Sequence, residues 1–132
     1  MTLGIATAIR NSKMDEITTA IDAGAGAGLL RIYDGTRPIT GGTVTTLLAE
    51  LTLSDPSFAA ASSGAITANA ITSNTAAASG TATWFRIVDS TSAFVCDGSV
   101  ATAGADLILN STTITAGVLV DVTSAVLTDG DA

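Results

Sequence analysis

After Gly28 the chain never again spaces its apolar residues at helical intervals, and that change of period constrains the fold more than any other feature. Before it, "SKMDEITTAIDAG" places Met14, Ile17, Ala20 and Ile21 on one helical face. Ser12 and Asp15 are spaced like a capping box, with Asp in place of the usual Glu, and Gly24 is a natural stop. The spacing predicts one short helix over about 12–23. Beyond Leu29, short runs rich in Thr, Val and Ile alternate with Gly, Asp, Asn, Ser and Pro, the pattern of an all-β domain. Strands are expected at 29–33, 45–53, 65–73, 81–89, 93–96, 106–110 and 118–127, with two shorter candidates at 99–102 and 112–115.

The period-2 pattern is clearest in "VLVDVTSAVL", where Val118, Val120, Val122 and Val126 alternate against Asp121 and Thr123. A sheet buried on one side reads this way, and two such sheets face to face would close a core. The turns expected between them are Asp34-Gly35, Gly41-Gly42, Asp55-Pro56 and Asp97-Gly98. The segment 58–80, poor in complexity, is read as two small-residue turns around a strand, because Ile66 and Ile71 need burial. The end, "LTDGDA", is read as a frayed acidic tail. The expected architecture is therefore mainly β: an antiparallel β-sandwich over 29–132, preceded by a 1–28 arm with a helix and a glycine hinge.

At 132 residues the chain has room for one modest core. Much of its apolar fraction of 47% is Ala, with aromatics at 4%, so that core is thin and docking onto a partner would add burial. Five basic residues, Arg10, Lys13, Arg31, Arg37 and Arg86, are spread singly in a chain of net charge −7. No basic stripe is there to neutralise phosphates, which argues against direct nucleic-acid binding. No run reaches the roughly 18 apolar residues of a membrane span, and "MTLGIATAIRNSK" is a poor secretory signal, so a protein made in a cytoplasm is expected.

The chemistry-bearing motifs are weak. Gly24, Gly26 and Gly28 follow a helix and precede a strand, the reverse of a dinucleotide fingerprint, and no Lys follows for a Walker loop. A phosphate there would meet the negative end of the helix dipole. Cys96 has no histidine anywhere in the chain to activate it, and neither a zinc site nor an intramolecular disulfide can be assembled. Asp89 and Asp97 flank an expected hairpin and are the one carboxylate pair a glycosidase could use, although acids at strand ends are more often turn formers. No enzyme activity, cofactor or metal is expected.

Six residues stand out for interaction. Met14, Ile17 and Ile21 form the helix stripe, which would pack on the protein's own sheet or dock onto a neighbouring subunit. Tyr33, Trp84 and Arg86 would offer an aromatic and cationic spot, since Trp and Arg are enriched at hot spots. The competing reading of Trp84 is a core anchor whose indole N–H is satisfied by backbone.

Three stretches carry a resemblance: Arg31-Ile32-Tyr33 before Gly35-Thr36-Arg37-Pro38, then Leu48-Ala49-Glu50-Leu51, and Gly80-Thr81-Ala82-Thr83-Trp84. With them the chain, from 29 to about 127, resembles small structural proteins of tailed bacteriophages, and in size and class the capsid cement or decoration proteins with a jelly-roll-like β fold. The resemblance implies a virion protein that binds the major capsid protein on the head and associates with itself as a dimer or trimer. It implies no catalytic residue, nucleic acid or membrane. A tail, connector or glycan-binding receptor module is the alternative it leaves open.

Overall fold

The computed structural model describes residues 3–129. It is mainly β with one helix. Helix α1 spans Thr7–Ile21. Strands β1 (Leu29–Tyr33), β2 (Leu47–Thr52), β3 (Ala65–Thr67), β6 (Trp84–Val88), β7 (Phe94–Ala101), β8 (Leu107–Leu109) and β11 (Val122–Thr128) form one sheet, ordered β2-β1-β6-β7-β8-β11-β3. Between them β4 (Asn74–Thr75) pairs with β10 (Leu119–Val120), and β5 (Gly80–Thr81) pairs with β9 (Thr113–Ile114), as two small ribbons.

Extended chain lies where alternation put it in β1, which coincides with its expected range, and in β2, β6 and β8. The expected 118–127 strand is broken at Asp121 into β10 and β11, which join different sheets, the expected 65–73 strand shortens to β3, and 93–96 and 99–102 merge into β7. Strand direction differs from expectation. The seven-stranded sheet is mixed and not antiparallel, because β7 and β8 run parallel through Val100↔Leu107 and Ala101↔Ile108. Five residues connect them, too few for a crossover helix, so the parallel contact stays short. It is secured by Asp106, whose carboxylate accepts from the Ser99 amide and hydroxyl at 3.0 Å each.

Both outer edges of the sheet are covered. Along β2, the Thr72 amide donates to the Thr52 carbonyl at 2.9 Å and the Ala77 amide to the Leu48 carbonyl at 2.8 Å. Along β3, the Ala59 amide donates to the Thr67 carbonyl at 2.9 Å. The segment 58–80 thus pairs closely with the sheet, which blunts edges that would otherwise invite aggregation.

The Asp97-Gly98 turn does not form; β7 runs straight through it. A Cβ on Gly98 would lie 2.5 Å from the Phe85 ring, so this glycine serves close packing inside a strand and not a reversal. Helix α1 also starts earlier than the capping box implies. Its N-cap is Ala6, with no side-chain cap, and Ser12 lies within the helix and donates to the Ala8 carbonyl. Asp15 instead accepts the Ala61 amide at 2.8 Å, a tertiary use of a residue that looked like a cap.

The helix lies on the protein's own sheet, against β3 and β7. Met14 and Ile21 are buried in the core cluster and Ile17 packs partly against it. After the C-cap, Asp22, the glycines form a packed corner in place of a loose hinge: a Cβ on Gly28 would sit 2.4 Å from Ile21 Cγ2, and one on Gly24 would strike the Ser90 hydroxyl. Of the expected frayed tail, Leu127 and Thr128 belong to β11, and residues 130–132 lie outside the described range.

Candidate functional site

Strand β6 is buried along its whole length, Trp84 to Val88, so both faces of the sheet are covered there. Phe85 and Ile87 enter the main core. Trp84 and Arg86 point to the opposite face, where the loop 34–46 folds over them. The sequence pattern could not show this second cover, because the loop is mostly Gly and Thr with no periodicity of its own.

Trp84 is a core anchor, 1% exposed. Its indole N–H donates to the Asp34 carbonyl and to Thr45 Oγ1, both at 3.0 Å, and Thr45 Oγ1 in turn donates to the Asp34 carbonyl. Tyr33, paired with it across β1 and β6, stacks on it with ring centres 4.4 Å apart and planes inclined by 14°. Burial pushes the Tyr33 phenol above its ordinary pKa.

Arg86 is as deeply placed, 9% exposed. Its Nε and one terminal nitrogen donate to the two carboxylate oxygens of Asp97 at 2.7 and 2.9 Å, a bidentate pair between β6 and β7. That hydrogen bonding raises the guanidinium pKa further. The same terminal nitrogen donates to the Gly42 carbonyl at 3.0 Å, and the Gly41 amide donates back to Asp97 at 3.2 Å. The guanidinium carbon lies 4.9 Å from the Phe94 ring centre and 5.5 Å from that of Trp84, within cation–π range.

Of the six residues singled out in the sequence, Met14, Ile21, Tyr33, Trp84 and Arg86 are buried and Ile17 is half-buried. The structure groups them in two places: the helix stripe in the main core, and the Tyr33–Trp84–Arg86 cluster under the 34–46 loop. The cluster holds that loop from below, and three apolar side chains stand outward around it. Ile39 is 87% exposed, with Val44 and Phe94 at 41% and 42%. Sequence reasoning missed these three; the signal was an Ile and a Val on either side of Gly41-Gly42, in a stretch without charge.

The carboxylates considered for catalysis are engaged elsewhere. Asp89 accepts from the Thr91 hydroxyl and from the Thr91 and Ala93 amides, which makes it a turn former and holds its pKa below the ordinary carboxylate value. Asp97 is held by Arg86. Burial pushes the Cys96 thiol up to about 12, leaving almost no thiolate at neutral pH. Among the described residues no group of three His, Cys, Asp or Glu side chains is placed to hold a metal, and no helix is long and apolar enough to cross a membrane.

Comparison of the chain with protein-family models, curated proteins and solved structures found no match.

Proposed function

We propose that the protein is a non-enzymatic structural component of a tailed-bacteriophage virion, a cement or decoration protein that binds the outer surface of the head. The observation that carries this reading is the Ile39, Val44 and Phe94 rim, held from beneath by the Arg86–Asp97 pair and the Trp84 indole. A loop tied down in this way loses little conformational freedom on binding, and its apolar side chains gain by being covered. Asp97, one of the carboxylates that sequence reasoning offered for chemistry, is instead used to hold that surface in place.

The fold reading that accompanies this proposal is a jelly-roll-like sandwich in which the two ribbons belong to the second layer. Binding to assembled heads alone stabilises them by mass action. The major capsid protein is the proposed partner, with copies of this chain associating as dimers or trimers about a symmetry axis of the shell.

The test is sedimentation of purified protein with heads that lack it. Co-sedimentation in hundreds of copies per head, and heads that withstand higher temperature when decorated, are the expected results. Binding to tails only, or to a host glycan with none to heads, would replace this reading with the tail or receptor-module alternative.

A further inference from the structure

Strand β7 is longer than the strand beside it. On one side β6 pairs with it from Phe94 to Ser99, while on the other β8 touches only Val100 and Ala101. From Phe94 to Gly98 that second edge has no strand partner among the described residues. A matching gap occurs two strands away. On β11, β8 pairs from Val122 to Ala125, and the Val126 amide reaches the Asp106 carbonyl at 3.1 Å; beyond it, Leu127 and Thr128 are paired only with β3. The sheet is therefore split, with β8 wedged at the closed end and two half-paired strands forming the arms.

Hydrogen-bond alternation shows which backbone groups face the gap. The Val100 amide donates to the Thr83 carbonyl, so Gly98 and Cys96 are the next residues of β7 to bond with β6, and Asp97 points the other way. On β11, the Ala125 carbonyl and the Asp129 amide bond toward the β3 side, which leaves Thr128 pointing into the gap. The opening is a cleft of about 300 Å³ lined by Cys96, Asp97, Gly98, Leu127, Thr128 and Asp129. Asp106 stands at its closed end, and Met14 and Ile17 of α1 form one wall.

We propose that this cleft accepts one extended segment of a partner protein carrying Lys or Arg side chains, which adds a strand between β7 and β11. The arms are held apart by the single strand β8, so the gap is about two strand spacings wide, roughly 9–10 Å, and fits one strand. Backbone amide and carbonyl groups on both walls match an extended chain, the mode of recognition by strand addition. The charge selects the partner. Three aspartates line the cleft and, among the described residues, no Lys or Arg does; the Asp97 carboxylate itself is turned to the opposite face of the sheet, onto Arg86 and the Gly41 amide, which leaves Asp106 and Asp129 as the cleft's charges. Asp97 is balanced by Arg86 and Asp129 by Lys13, at 2.9 Å, while Asp106 is held only by Ser99 and forms no ion pair among the described residues. The first nine residues of a second copy carry no charged side chain, so they fit the backbone of the cleft without answering its charge.

The proposal is independent of any role in a virion and is tested on the purified protein by amide hydrogen exchange. In the free protein the Asp97 and Thr128 amides exchange at least tenfold faster than those of Gly98 and Leu127. Adding the capped peptide Thr-Lys-Val-Lys-Val-Lys-Thr at millimolar concentration is expected to slow exchange at Asp97 and Thr128 tenfold or more. The same peptide with Glu in place of Lys leaves them unchanged. Asp106→Asn, which keeps an acceptor for Ser99, weakens the Lys peptide at least threefold. No protection by the Lys peptide, or equal protection by the Glu peptide, overturns the proposal. Stronger protection by a peptide of residues 1–9 also overturns it, in favour of a second copy as the occupant.

Discussion

Arg86 and Asp97 are register partners on β6 and β7, joined by two N–H···O bonds of 2.7 and 2.9 Å in a site where their side chains are 11% and 3% exposed. The pair ties the sheet to the Gly41-Gly42 turn. Breaking it from one side leaves a buried charge without its partner, which costs about 3–5 kcal/mol in comparable sites. Asp97→Ala is expected to lower stability by about that amount in chemical denaturation. An Arg86→Met, Asp97→Leu double variant recovers most of the loss, since an apolar pair of similar volume leaves no orphaned charge.

The same pair holds the proposed binding rim from below, so rim and support separate in experiment. Ile39→Ser changes an exposed position and is expected to leave the unfolding free energy within roughly 0.5 kcal/mol of the parent, while Phe94→Ser also removes the ring over Arg86 and is expected to cost about 1 kcal/mol. In head co-sedimentation they weaken binding tenfold or more. Binding unaffected by both changes would move the contact surface elsewhere on the molecule.

The glycine corner makes a third prediction. Gly28→Ala places a methyl group 2.4 Å from Ile21 Cγ2 and 3.0 Å from the Val88 carbonyl oxygen. Overpacking of this kind costs about 1–3 kcal/mol. Gly26→Ala meets nothing closer than Ser90 Cβ at 3.8 Å and is expected to be neutral or slightly stabilising, because it reduces the freedom of the unfolded chain. A freely flexible hinge would treat the two substitutions alike, and thermal melts of both variants decide between the descriptions.

Two titrations have opposite signs. The Asp89 carboxyl is held below its ordinary value of 3.8 by the Thr91 hydroxyl and the neighbouring amides, so its contribution to the 89–93 turn is present above that pH and lost as pH falls through the folded value. Asp89→Asn removes this acid dependence, read from the Thr91 amide shift. The Cys96 thiol is raised by burial from 9.0 to about 12, so its contribution is complete below pH 9 and lost as pH rises toward 12. Cys96→Ala flattens that alkaline limb. At pH 8 the native thiol reacts with a disulfide reagent far more slowly than the unfolded chain does.

Much of the secondary structure was legible because its signals are local. Alternation placed β1, β2, β6 and β8, and the 3.6-residue stripe of Met14, Ile17 and Ile21 marked the helix and the face it buries. Over 118–127 alternation found extended chain but the wrong face: a register shift after Val122 turns Ala125 and Leu127 inward and leaves Val126 exposed, and Val118 is exposed too. The signals that misled were residues with two possible uses. Ser12 and Asp15 match a cap, yet Asp15 holds Ala61; Asp97-Gly98 matches a turn, yet its carboxylate binds Arg86 and its glycine makes room for Phe85. Trp84 and Arg86 matched an exposed hot spot because nothing within a few residues shows the loop that covers them.

By itself, then, the sequence determined that one helix precedes a mainly extended chain, that glycines 24 and 28 mark the join, and that histidine chemistry is absent. Those properties depend on side-chain period and residue type within a few positions. Tertiary structure decided the direction of β8, the burial of both faces of β6, the partner of Arg86, the exposure of Ile39 and Phe94, and the gap between β7 and β11. Each of these is settled by a second surface brought up from elsewhere in the chain, where close packing and the need to satisfy buried polar groups select among uses the local sequence leaves equal.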